Sequence, residues 1–346
     1  MPRKSFPIDS CKFLTVTNIY TDSIEYPVHG VIFAFVKVTL NKIYCYRFYF
    51  FTFNDKTCFL IQRSTIQLLR FPFSYFLMPV YWFALSFVED INVSRAILVF
   101  SIFHLLVYPS SNGYNSYMDR DEGSIGGIKN PMQPTKQLFV VSIIMDAIAI
   151  VLSLIISPLF ACCIGIYILF SRLYSYRPIR LKQYPLAGYL TVILNQGSLT
   201  FFAVYYGCNQ NLDIHVSWLG LVAAAFLIGG FYPITQIYQH ESDANDQVTT
   251  ISMMLGKRGT FIFCAVMYTI AIGILWLYYS GHQHYKLFVV LLIFFLPVVV
   301  YFSKWFLQVL KNEHAADFQH TMTINWLAST CTSLAFITII FIQHFG

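Results

Sequence analysis

From Phe71 to the C-terminus the chain is a succession of apolar runs, each long enough to cross the hydrocarbon core of a bilayer as a helix of about 20 residues. Nine helices are read, at about 71–88, 94–118, 137–157, 159–176, 184–207, 214–238, 259–280, 285–307 and 321–343. Charges or turn residues separate them: Glu89-Asp90, Gly126-Gly127, Asn130-Pro131, Pro158, Arg177-Pro178, Asn209 to Asp213, Gly256 to Gly259 and Gly281 to His284. The runs are long, unbroken and do not alternate, so helices, which satisfy every backbone group internally, are preferred over a barrel. Only 11% of the 346 residues are charged and 57% are hydrophobic, against about 25% charged in a soluble domain that must be wetted all round. The expectation is an all-α, polytopic membrane protein with nine transmembrane helices.

Residues 1–65 fit this pattern poorly and are read as an N-terminal appendage to a membrane domain at 66–346. The run from Tyr26 to Phe53 is apolar, but Lys37, Lys42 and Arg47 interrupt it. A cation at the bilayer centre costs about 2.5–3.5 kcal/mol even on the lenient insertion scale, so the run is an uncertain span beside the nine. It carries no small-residue cleavage site. The net charge of +6 is scattered without a basic cluster, which argues against nucleic acid. The eight cysteines show neither CxxC nor Cys/His spacing, and Cys162, Cys163 and Cys264 lie within apolar runs as small core residues.

The cations also orient the chain. With the residues before Phe71 in the cytoplasm, loops on that side hold eleven lysines and arginines: Arg120, Lys129, Lys136, Arg172, Arg177, Arg180, Lys182, Lys257, Arg258, Lys304 and Lys311. The opposite loops hold two, Arg95 and Lys286. A bias of this size is the positive-inside pattern of a multi-pass protein of the cytoplasmic membrane.

Two segments on the cation-rich side gather carboxylates at the end of an apolar helix. Asn115-Ser-Tyr-Met-Asp119-Arg-Asp121-Glu122 closes the second helix, and Gln239-His-Glu241-Ser-Asp243-Ala-Asn-Asp246 closes the sixth. Each contains an amide and two carboxylates at i, i+4 and i+7: Asn115, Asp119, Glu122 and Gln239, Asp243, Asp246. If the helices continue that far, such positions fall within roughly 60° of one face. The clusters lie four helices apart, which points to two four-helix halves facing each other, plus a ninth helix. Hard oxygen donors suit Mg²⁺, which bridges readily to phosphate. A prenyl diphosphate has a head for such a metal and a tail for an apolar cavity. Lys129, Lys257 and Arg258 follow the clusters within reach of phosphate oxygens. The competing reading of each cluster is a set of solvated loop charges.

Other polar residues carry plainer readings. Asp146 lies within the third helix and requires a partner or water. Asn195 and Gln196 lie mid-helix in the fifth span, where interhelical hydrogen bonding competes with acceptor binding. His104 reads as a core hydrogen-bonder. The 34 phenylalanines and 24 tyrosines suit an allylic cation, but most must face lipid or pack the bundle. No P-loop or Ser-His-Asp arrangement is present.

The two acidic segments resemble the aspartate-rich motifs of the UbiA superfamily of intramembrane prenyltransferases, which have nine transmembrane helices. The first motif, NDxxDxxxD, reads here as Asn115, Ser116, Asp119 and Gly123: Asn115 and Asp119 match, while Ser116 and Gly123 replace aspartates. Asp121 or Glu122 stands near enough to supply a carboxylate. The second, YxxxKxxxDxxxD, aligns with Phe231, Thr235, Gln239 and Asp243, of which the last matches; Glu241 and Asp246 keep the segment acidic. Thr249-Thr250 and Gly256 resemble the continuation, and the likeness covers roughly residues 65–343. It implies a Mg²⁺-dependent transferase with Asn115, Asp119, Asp121, Glu122, Gln239, Glu241, Asp243 and Asp246 as the metal-binding set. Asp119 and Asp243 are the catalytic candidates. Lys129, Lys257, Arg258 and Asn195 are substrate-binding candidates, and the partners are a prenyl diphosphate, an aromatic or lipid acceptor and membrane lipids. The missing carboxylates and the Thr235 substitution shift the phosphate's charge onto the metal and the neighbouring cations. An ion-coupled transporter and a silent UbiA-like scaffold are the alternatives; acids at helix ends, not mid-span, favour the enzyme over the transporter.

Overall fold

The computed structural model describes residues 31–40, 43–52, 61–120 and 123–345. The chain divides into two compact units, 1–61 and 62–346. In the first, Val31–Leu40 (β1) and Ile43–Thr52 (β2) pair as antiparallel strands, Val31 opposite Thr52 and Leu40 opposite Ile43. Within the interrupted apolar run, residues 31–40 and 43–52 therefore pair as strands.

The second unit is helical. Among the described residues nine helices are long and apolar enough to cross a membrane: Arg63–Leu85 (α1), Val93–Asp119 (α2), Lys136–Ile156 (α3), Pro158–Ser175 (α4), Pro185–Cys208 (α5), Trp218–Gln236 (α6), Ile251–Gly281 (α7), Tyr285–Lys311 (α8) and Phe318–His344 (α9). Successive helices pack side by side, and α9 returns to α1. Helices α1–α4 and α5–α8 form the two halves and α9 completes the circuit. Phe83, Phe201 and Phe336 are fully buried and meet at its centre, with ring centroids 4.8 Å and 4.6 Å from Phe83. The outer faces are greasy: Val151, Leu154 and Ile155 on α3 and Ile293, Leu296 and Val299 on α8 are exposed. Those faces have lipid as their solvent.

Several helices depart from regular geometry for local reasons. Within α2 the segment Ile102–Val107 is π-helical, immediately before Pro109. Proline lacks an N–H and crowds the preceding turn, and the widened turn accommodates it. In α5 the segment Ile193–Leu199 is also π-helical. There Gly197 lies against α6 so closely that a Cβ would fall 2.8 Å from the backbone of Ala224 and Ala225. Helix α1 starts at Arg63, earlier than the apolar run indicates, and bends where Arg70 takes a left-handed conformation (φ 49°) before the 3₁₀ turns of Phe71–Leu77. Helix α7 also starts earlier, at Ile251, where the Thr250 hydroxyl caps Met253 N–H at 3.3 Å; Gly256 (φ 66°) breaks its first turns.

The buried carboxylate of α3 has a partner. Asp146 pairs with Arg172 of α4, and Ser110 of α2 donates to Asp146. The Arg172 guanidinium lies over the Tyr114 ring at 4.2 Å. This pairing satisfies charges that would otherwise stand alone at membrane depth.

Candidate active site

The two acidic segments converge, though not as two continuous helical stripes. Helix α2 stops at Asp119 because Arg120 turns left-handed (φ 56°) and its N–H closes on the Ser116 carbonyl at 3.1 Å. The continuation needed to align Glu122 with Asn115 and Asp119 is therefore lacking; Asp121 and Glu122 themselves lie outside the described residues. Helix α6 stops at Gln236, and a separate short helix, His240–Asn245, carries the second cluster. Gln239 stands at the start of that helix and Asp246 at its end, so Asp243 and Asp246 belong to an element separate from α6.

Asn115, Asp119, Gln239 and Asp243 line one polar pocket of about 120 Å³, together with Arg70, Tyr174, Lys182, Tyr232, Thr235 and Gln236. The Asp119 side chain is 1% exposed and meets two cations, Lys182 Nζ at 2.6 Å and Arg180 at 3.4 Å. Arg180 also pairs with Asp246, so one guanidinium joins the two acidic segments. Burial disfavours its charge, but the hydrogen bond to Asp246 and the field of Asp119 outweigh this and hold its pKa above the ordinary value. The cations come from the α4–α5 loop, where Arg180 takes a left-handed conformation (φ 46°). Arg177 of the same loop donates to the carbonyls of Met118 and Asp119 at 2.7 and 3.1 Å, closing the C-terminus of α2. Cations are favoured there by the helix dipole.

Hydrogen bonds orient the remaining walls. The Ser175 hydroxyl donates to Asn115 Oδ1 at 2.6 Å. Gln239 donates to the Ser124 carbonyl at 3.2 Å, tying the second cluster to the loop after α2. Tyr174 and Tyr232 share a hydrogen bond at 2.5 Å, and Gln236 donates to Tyr232 at 2.8 Å. Thr235, at the position of the family's lysine, bonds back to the Tyr232 carbonyl at 2.7 Å.

The other sequence candidates lie elsewhere. Lys257 donates to the Glu313 carbonyl at 3.1 Å, and Arg258 pairs with the Glu313 carboxylate at 3.1 Å, so both brace the α8–α9 corner. Lys129 and Glu241 are exposed, and neither lines the pocket. Asn195 donates to the Tyr167 carbonyl at 3.0 Å, joining α5 to α4. Arg70, Arg180 and Lys182 are the cations that reach the site instead. Their signal in the sequence was weak: Arg180 and Lys182 sit in the loop with the densest positive charge, but nothing local aims them at residues some 60 positions away.

Below the polar pocket lies an apolar chamber of about 790 Å³. Three helices line both in succession: Phe73 then Phe76 on α1, Thr235 then Ile234 and Phe231 on α6, Met322 then Asn325 on α9. The chamber rim includes Leu292, Leu296 and Val299 of α8, which face the lipid side.

Among the described residues, nine helices of membrane-spanning length thus carry an acidic, cation-lined pocket and an apolar chamber. The same fold occurs in a UbiA homologue from Archaeoglobus fulgidus solved with DMAPP and Mg²⁺ (TM-score 0.60, 16% identity, 80% of this chain and 99% of that one). It also occurs in a UbiA homologue from Aeropyrum pernix K1 (TM-score 0.55, 14% identity, 78% and 98% covered). The chain matches the UbiA prenyltransferase family over residues 76–338 and belongs to it. It is 29% identical over 101 residues to a probable chloroplastic homogentisate phytyltransferase 2 of Oryza sativa subsp. japonica, a stretch covering 28% of this chain and 26% of that relative. The alignment thus spans about a quarter of the relative's length.

Proposed function

We propose that the protein transfers a prenyl group from an isoprenoid diphosphate to an aromatic or lipid acceptor within the membrane, in a Mg²⁺-dependent reaction. The observation that carries this reading is the placement of Asp119 and Asp243 in one polar pocket directly above the apolar chamber. An allylic diphosphate has the same division into a charged head and a hydrocarbon tail. The A. fulgidus homologue is described with DMAPP in one structure and with GPP in another, each with Mg²⁺. The rice relative's name points to an aromatic acceptor.

The donor set fits a hard cation. Asn115, Asp119, Gln239 and Asp243 offer oxygens to one pocket, and Mg²⁺ commonly takes only one or two carboxylates beside substrate phosphates and water. When bound, it would neutralise the leaving diphosphate and ease scission of the allylic C–O bond. Among the described residues no group of three or more His, Cys, Asp or Glu stands ready as a metal cage. Asp119 would exchange part of its contact with Lys182 and Arg180 for the metal, freeing both cations to face phosphate oxygens. Arg70 lines the same pocket. The C1–O bond breaks with its electron pair on the diphosphate, a bond forms between C1 and the acceptor, and the displaced acceptor proton passes to the pyrophosphate. The rings of Phe76, Phe231 and Tyr268 wall the chamber, excluding water from the cation and presenting π faces to it. The cation bias of the loops supports placing the pocket on the cytoplasmic side of a cytoplasmic membrane.

The purified full chain is expected to bind radiolabelled geranyl diphosphate only with Mg²⁺, and membranes containing it to accumulate a prenylated lipid visible by mass spectrometry. Metal-independent binding would contradict the enzyme reading, and binding without any product would favour the scaffold.

A further inference from the structure

Asn325 on α9 is fully buried, lines the apolar chamber, and neither its amide oxygen nor its amide nitrogen has a hydrogen-bond partner. Buried polar groups are almost always paired, because desolvation without a partner is unfavourable. An amide with both ends unmatched, set in the wall of a cavity, is arranged for something that enters the cavity. Phe231, Ile234 and Phe336 share the chamber with the hydroxyls of Thr269, Ser303 and Thr332, and Ser329, one turn further along α9, is engaged with the Phe76 carbonyl at 3.4 Å.

Position narrows the occupant. Met322 of the same helix lines the polar pocket, and Asn325 follows it three residues deeper, about 4.5 Å along the axis. With the diphosphate in the pocket, this is the depth of the first carbons of the prenyl chain. The prenyl tail itself has no polar atom there, so the amide is not a tail-binding feature. A carbonyl could satisfy one end of the amide, but a hydroxyl both donates and accepts and can satisfy both.

We infer that Asn325 is a specificity-determining residue that receives a ring hydroxyl of a phenolic acceptor and orients its neighbouring carbon toward C1. The inference rests on the proposed transfer reaction and names the acceptor class for it. The Asn325 carbonyl accepts the phenolic O–H and the amide N–H donates to the phenolic oxygen. The phenol keeps its proton, its ortho carbon forms the bond to C1 as the C1–O bond breaks, and the ortho hydrogen leaves as a proton to the pyrophosphate.

The test is equilibrium binding to the detergent-solubilised full chain of 1,4-naphthalenediol and, as a shape-matched apolar control, 1,4-dimethylnaphthalene. Geranyl diphosphate binding with Mg²⁺ is measured in parallel. The unmodified protein is expected to prefer the diol by roughly tenfold, the scale of one or two matched hydrogen bonds in a dry site. Asn325→Leu abolishes the preference while the thermal unfolding midpoint in detergent stays that of the parent; Asn325→Val, a smaller replacement, does the same. Equal affinity for both naphthalenes in the unmodified protein, or a preference that survives either substitution, overturns the inference. Loss of Mg²⁺-dependent geranyl diphosphate binding in the unmodified protein would instead refute the transfer reaction, and the diol preference reports independently of it.

Discussion

Replacing Arg180 by alanine separates the two roles that its guanidinium serves. At rest it bridges Asp119 and Asp246, 3.4 Å from the former, and so competes with any cation for those carboxylates. Two unit charges at that separation interact by about 5 kcal/mol at an effective dielectric of 20. Lys182 remains on Asp119 at 2.6 Å and water enters the space left, so the net effect is nearer the 1.5–3 kcal/mol of a hydrogen bond to a charged group, roughly 10- to 100-fold. The variant is expected to need less Mg²⁺ for half-maximal transfer, because the competing cation is gone. Its KM for the prenyl diphosphate rises, because a phosphate partner is gone as well. Steady-state transfer measured over a Mg²⁺ series at saturating diphosphate, and the reverse, reads the two constants separately. A rise in the Mg²⁺ requirement with an unchanged diphosphate KM would refute the competition, since it would make Arg180 a support for the metal site and nothing more.

Two further outcomes follow from pairs outside the pocket. Asp146→Ala leaves Arg172 unpaired at membrane depth, where its side chain is 14% exposed, and is expected to cost about 3–5 kcal/mol of stability. Asp146→Leu with Arg172→Met restores most of it, as thermal unfolding in detergent would show; an Asp146→Ala protein as stable as the parent would contradict the pairing. His240 bonds to Ser252 at 2.8 Å, and burial first, then Lys257, lowers its pKa below the ordinary 6.5. The unfolded chain then binds the extra proton more readily, so this contribution to stability is complete above pH 6.5 and declines as pH falls toward the lowered value. His240→Gln should flatten that acid-side slope in a pH series of unfolding midpoints.

The nine spans were legible because the bilayer imposes both length and composition, and the described residues satisfy each nine times over. Where a boundary slipped, a single backbone feature accounts for it: the left-handed Arg70 lets α1 continue back to Arg63, and Gly256 breaks α7 without ending it. The acidic clusters were legible as clusters, since Asn115, Asp119, Gln239 and Asp243 share the pocket. Their cationic partners were not. Lys257 and Arg258 are adjacent in sequence to the second cluster, but α7 carries them toward Glu313 and the Leu310 carbonyl. Arg180 and Lys182 reach Asp119 only because the α4–α5 loop folds over the end of α2, a tertiary fact with no local period. Asn325 has only a faint signal in the sequence, an amide between Ile324 and Trp326 in the ninth span.

The most direct test of the account compares prenyl transfer from geranyl diphosphate, with Mg²⁺, in the parent protein and in Asp119→Ala and Asp243→Ala. One metal-loaded head group shared by both acidic segments predicts that either substitution alone reduces transfer by at least about 100-fold, the effect of losing an electrostatic contact made to the leaving group. Undiminished Mg²⁺-dependent transfer in both variants would contradict it.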